Sequence, residues 1–240
     1  MEFDTTRLIV SILGFGGTIT ALLFGVFQYR RSEKWKRAEF VAKEIKEFES
    51  DPVVRNALLM IDWGARKINL TLVPNQQFEN FVDVTREMQR NALMPHPCKT
   101  IDDSETSTGD ADGPVRGFNS VEALIRDAYE TLLDHLERFG NFVRSGLVSK
   151  EEFEPYLIYW LQAMTADEGT REDRSWRLAL LTHISFYQYS GVRHLFKVYG
   201  MYIEPDGATY AALMKSVEDD ALSKQLYESV MRISARHNRR

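Results

Sequence analysis

The sequence has a single cysteine, Cys98, in 240 residues. That excludes an intramolecular disulfide framework and any zinc site built on a cysteine cluster. Glycine and proline together number only 21, too few for a collagenous or low-complexity chain. The histidines His96, His135, His183, His194 and His237 form neither HExxH nor ExxH nor a Cys–His cluster, so no transition-metal site is readable. GxGxxG, GxxxxGK[ST] and GxSxG are absent as well. With them go the dinucleotide fingerprint, the P-loop and the nucleophile elbow, and no cofactor is indicated.

A basic surface is also lacking. The net charge of -5 divides into -1 over residues 1–7, +4 over 30–37, +4 over 232–240 and hence -12 over 38–231. A body so acidic argues against a nucleic-acid partner. Calcium fares no better. Thr108, Asp110, Asp112 and Gly113 fall at positions 1, 3, 5 and 6 of a calcium loop, but position 1 is not Asp and position 12 is Asn119. The segment from Gly140 to Ser149, between two helical patterns, lacks the alternating oxygens altogether. The paired carboxylates Asp102-Asp103, Asp167-Glu168, Glu172-Asp173 and Asp219-Asp220 read as solvated charges at helix edges, complementing helix dipoles.

Hydrophobic residues make up 44% of the chain and charged residues 27%, enough apolar mass for a core. The mean hydropathy of -0.33 and a pI near 5.6 describe an ordinary acidic soluble protein, but that average conceals one long apolar run. Residues 8–27, LIVSILGFGGTITALLFGVF, are twenty in a row without a charge. Their mean hydropathy is about +2.2, and a helix of that length is about 30 Å long, the thickness of a bilayer's hydrocarbon core. The reading is a single N-terminal transmembrane helix, with residues 1–29 as membrane anchor. It is retained rather than cleaved, because the preceding MEFDTTR is a poor positive leader region and Gln28, Tyr29 and Arg30 follow the run directly.

Arg30, Arg31, Lys34, Lys36 and Arg37 on the far flank, against Arg7 alone on the near one, place the N-terminus outside and the rest in the cytoplasm. Tyr29 and Trp35 sit at headgroup level, and a lone cysteine suits a reducing compartment. Gly14, Gly17, Ala21 and Gly25 form a stripe of small side chains, the pattern that lets two membrane helices pack closely. A homodimer through this face is the corresponding expectation.

Beyond the membrane the pattern is helical. Residues 30–50 continue as a juxtamembrane linker helix, with Trp35, Ala38, Ile45 and Phe48 at helical spacing. Residues 51–240 form a mainly α cytoplasmic domain. Asp51-Pro52 gives an N-cap and a first helical position. Alternation at Ile68, Leu70 and Leu72, with Phe81-Val82 and Val84 beyond Pro74, gives one short β-hairpin near 67–84. A short helix to about Met94 follows, then a polar, acidic, mobile surface loop at about 96–118. A Cys98–His96 nucleophilic pair would sit at the edge of that loop, a poor place to hold catalytic geometry. Asn119 and Glu122 have capping-box spacing, as do Ser149 and Glu152, and Pro155 should kink or delay the second of these helices. Further helices are expected near 174–189, 191–199, 207–217 and 220–236.

Residues 153–202 hold eleven aromatic residues, six of them tyrosines. They read either as a small core filled with rings or as a groove for a partner helix or apolar ligand. His183 and His194 stand among them as hydrogen-bonded core residues. The functional expectation is a membrane-anchored helical module for protein interaction or regulation, with an unknown protein partner. Two alternatives remain: a tethered enzyme whose site includes His183, His194 and nearby acids in 153–202, and an effector that perturbs the membrane.

Overall fold

The computed structural model describes residues 3–70, 81–95, 118–204 and 208–215, with side chains described from Phe15 onward except at 208, 210 and 214. The acidic loop with His96 and Cys98, the hairpin's turn and everything after Lys215 lie outside the described residues. The chain divides into two compact units, Met1–Glu44 and Ile45–Arg240.

The first unit is the greater part of one helix, α1 (Phe3–Ser50). Anchor and linker regions therefore form one uninterrupted helix, as a stretch without proline permits. Among the described residues no helix is long and apolar enough to cross a membrane. The side chains of residues 8–14, the first third of the expected span, lie outside those residues. From Phe15 to Phe27 all side chains are exposed, the large ones Phe15, Leu22, Leu23, Phe24 and Phe27 included.

The second unit begins with the last turns of α1 and runs through α2 (Pro52–Asp62), β1 (Arg66–Asn69), β2 (Phe81–Val84), α3 (Arg86–Ala92), α4 (Ser120–Arg144), α5 (Lys150–Thr165), α6 (Arg171–Phe186), α7 (Ser190–Val198) and α8 (Ala208–Lys215). It is mainly α with one two-stranded antiparallel sheet. Asp51 caps α2 by accepting from the amides of Val53 and Val54 at 2.8 and 3.4 Å. In the hairpin Ile68 faces Val82, and the alternation turns Ile68, Leu70 and Val84 into the core. Asn119 and Glu122 complete their capping box on α4. Gly146, at φ +73°, ends that helix's exit turn.

Two expectations are corrected. Pro155 does not delay α5, which begins at Lys150 and continues through it. Its missing donor would have bonded the Glu151 carbonyl, and both residues are exposed, so the loss falls where solvent can compensate it. Helix α6 begins at Arg171, three residues earlier than expected, because Thr170 and Asp173 form a capping box that also recruits the Thr170 amide at 2.9 Å.

Helix α4 is the axis of this unit, lying against α2, α3 and α7, while α3 meets α6 and α6 meets α8. Its core face carries Ile125, Tyr129, Leu132, Leu136 and Phe139, and Phe139 stacks on Phe153 of α5 at 4.8 Å. Phe48, from the end of α1, meets Phe139 edge-on at 5.5 Å. At the α4–α7 crossing the helices touch through backbone. A methyl group on Gly140 would fall inside the van der Waals envelope of Gly191, and one on Gly191 would strike the Glu137 carbonyl. Glu137 in turn caps α7, accepting from the Val192 amide at 2.8 Å and the Ser190 hydroxyl at 3.3 Å.

Candidate functional site

Two buried arginines organise the polar interior, and both act on a neighbouring helix's C-terminus. The last carbonyls of a helix have no partner of their own, and a guanidinium supplies both donors and compensating charge. Arg86, 6% exposed, donates to the Met60 and Ile61 carbonyls at the end of α2 at 2.6 and 3.1 Å. It also donates to Gln89 at 2.9 Å and to Asp173 at 2.7 Å, and lies 4.0 Å above the Trp176 ring. Gln89 accepts a further bond from Tyr129 at 2.8 Å. Burial pushes that phenol well above its ordinary range, against the pull of Arg86. Asp173 is partly buried, which alone would raise it. Hydrogen bonds from Thr170 and from Arg86 outweigh that and hold the carboxyl below its usual value. The Glu172-Asp173 pair lies in the first turn of α6, as expected, with Glu172 exposed; Asp173 is in addition the counterion of a buried cation.

Arg126, also 6% exposed, does the same for α3, donating to the Ala92 and Met94 carbonyls at 3.1 and 3.0 Å. Its acid is Glu130, one turn on, at 2.8 Å. Its aromatic faces are Phe118 at 4.9 Å and Tyr187 at 5.2 Å. Here the assembly opens to solvent. A cleft of about 480 Å³ is lined by Phe118, Ala123, Arg126, Asp127, Glu130, Tyr187 and Tyr189. The α4 members recur at i, i+3, i+4 and i+7, one face of a helix. Phe118 precedes the Asn119 cap, which fixes its direction of entry. Tyr187 closes α6 and Tyr189 opens α7. Between them Gln188 has φ +58°, alone among non-glycine described residues in positive φ, and this left-handed turn brings both tyrosines to the cleft.

Behind the cleft lies His183, fully buried, its Nδ1 donating to the Leu93 carbonyl at 3.2 Å. The carbonyl can only accept, so Nδ1 carries the proton. Nε2 lies 3.6 Å from Glu130 Oε1, and the ring packs against Tyr187 at 4.6 Å. Tyr189 is half-buried. Burial and the carboxylates of Asp134 and Glu130 push it up to about 12, with Arg126 opposing and Glu137 adding.

No protein-family model, curated protein or solved structure matches the chain. The site's chemistry therefore rests on its own residues.

Of the residues singled out from sequence, His183 reaches the back of the cleft, while His194 is half-buried on α7 and does not line it. The aromatic-rich stretch turns out to divide. Phe153, Trp176 and Phe196 are fully buried, whereas Tyr156, Tyr159, Tyr187 and Tyr202 are exposed. It supplies core and cleft together. Gly17 and Gly25 have open space around them in the single chain. Among the described residues no group of three or more His, Cys, Asp and Glu converges as metal ligands. Sequence reasoning missed Arg126, Glu130 and the Tyr187–Gln188–Tyr189 turn. The signal available was a pair of tyrosines spaced by one residue between two helical patterns, with an Arg–Glu pair at i, i+4.

Proposed function

We propose that the protein is a membrane-anchored module whose cytoplasmic helical domain engages a partner protein through the Arg126–Tyr189 cleft. The observation that carries this reading is the cleft's construction. A buried arginine, two acids and three rings line it, two of the rings set by a left-handed turn, and fixed aromatic and arginine groups at a concave surface are the usual anchors of recognition. The anchor is supported by the uncharged run 8–27, the basic flank 30–37 and the exposed apolar residues of α1. The same flank favours an outside N-terminus and a cytoplasmic domain.

Placing a photoreactive phenylalanine at Tyr189 of the full chain in native membranes tests the reading. The expected result is a discrete crosslinked adduct that disappears when Ala123→Phe fills the cleft. No adduct, or one indifferent to Ala123→Phe, overturns it. A tethered enzyme is the second reading, favoured by the approach of His183 to Glu130 behind the cleft. Under it, His183→Asn would abolish a phenotype while leaving the Tyr189 crosslink intact.

A further inference from the structure

The cleft's charges are unevenly committed, and the imbalance identifies what it can take. Arg126 has little cationic character left to offer. Its Nε is paired with Glu130, its Nη1 serves two carbonyls, and its flat faces are covered by Phe118 and Tyr187. The carboxylates are not balanced in the same way. Asp127, exposed on the cleft's edge, and Asp134, exposed two turns further along α4, pair with no cation among the described residues. Glu130 and Asp127 together outnumber Arg126 on the lining itself. Tyr189 adds a ring beside them, the surface on which a desolvated cation gains most. An anion entering here would meet net negative charge, and a purely apolar group would leave Asp127 buried without a partner.

We propose that the cleft receives a basic side chain, arginine or lysine, from an extended segment of the partner polypeptide, paired with Asp127 and laid on the ring of Tyr189. The inference rests on the reading of this cleft as the partner site and specifies its occupant. A volume of about 480 Å³ accommodates one long basic side chain with its flanking backbone.

The test uses the full-length protein in nanodiscs of neutral phosphatidylcholine, titrated by fluorescence anisotropy with labelled tetra-arginine and tetra-glutamate peptides. Tetra-arginine should bind saturably. Asp127→Asn and Tyr189→Leu should each weaken it about three- to tenfold, the range of one ion pair or cation–ring contact. Tyr189→Phe, which keeps the ring, should bind within about twofold of the natural protein, as should Glu154→Gln combined with Glu168→Gln, two exposed acids away from the cleft. Absence of saturable binding overturns the proposal. So does binding that Asp127→Asn leaves unchanged, or that the distant pair of changes weakens equally. If tetra-glutamate binds instead and Tyr189→Leu abolishes it, the cleft remains the partner site and only its basic occupant falls. Loss of both peptide binding and the Tyr189 crosslink removes the two readings together.

Discussion

Arginines 86 and 126 show one residue type doing the same structural work in two places. Each ties off a helix C-terminus, each has an acid, and each faces an aromatic ring. Arg86, buried against Trp176 and paired with Asp173, contributes to stability. Arg86→Met should lower unfolding stability by about 3–5 kcal/mol in urea titration, because the α2 carbonyls and Asp173 lose their partner at once. Arg86→Lys should recover little, since one ammonium cannot serve carbonyls and carboxylate in a fork. Asp173 carries the pH dependence. Its folded-state value is depressed, so its contribution is complete above the unfolded carboxyl value near 4 and fades as pH falls through the lower folded value. Asp173→Asn should therefore cost about 2–4 kcal/mol at neutral pH and show a flatter loss of stability below pH ~4. Equal acid limbs for the two proteins would refute this assignment. The pairing of Arg86 with Asp173 was not legible in the sequence. Arg86 and Asp173 are 87 positions apart, and no periodicity links them.

At the scale of elements much more was readable, because caps and periodicity are local. Asp51-Pro52, Asn119 with Glu122 and the Ser149 start of α5 were all recognisable from residues no more than three apart. The hairpin at 66–69 and 81–84 was visible as alternation. The Thr170–Asp173 box is a capping signal of the same local kind, and it starts α6 at Arg171, ahead of the expected 174. What local pattern could not reveal is which helices cross. Gly140 lies in mid-helix and Gly191 at a helix start, ordinary positions until α4 and α7 are seen to meet there. Gly140→Ala should destabilise the domain by at least about 1–3 kcal/mol, since the obstacle is backbone and cannot swing aside. Thermal denaturation measures it, and an unchanged midpoint would mean that the helices separate at little cost. Glu137 depends on the same contact, because its carboxylate reaches the Val192 amide and the Ser190 hydroxyl only while the two helices touch.

For the whole molecule the two units pose separate questions. If the uncharged run anchors the chain, the protein should stay in the membrane pellet after carbonate extraction. If the small-residue face at Gly14, Gly17, Ala21 and Gly25 brings two copies together, crosslinking in native membranes should yield a dimer. Gly17→Leu with Gly25→Leu should reduce that dimer several-fold, because a bulky side chain holds the backbones apart. Absence of a dimer in the natural protein would restrict the assembly to one chain per partner. The domain beyond needs no dimer to complete its cleft, whose lining comes from residues 118–189 of a single chain.

The sequence by itself determined the helical class, the caps, the hairpin, the separation of one long apolar run from an acidic body, and the absence of familiar catalytic motifs. Each of these depends on residue type and on spacing within a turn or two, where backbone geometry is nearly fixed. The tertiary structure alone decided which arginines are buried, that Arg86 meets Asp173, and that two tyrosines flanking a left-handed Gln188 face the start of α4. Those outcomes depend on helix crossings set by packing across 26 to 90 positions of chain. A charge's cost and its partners are defined only once water has been excluded around it.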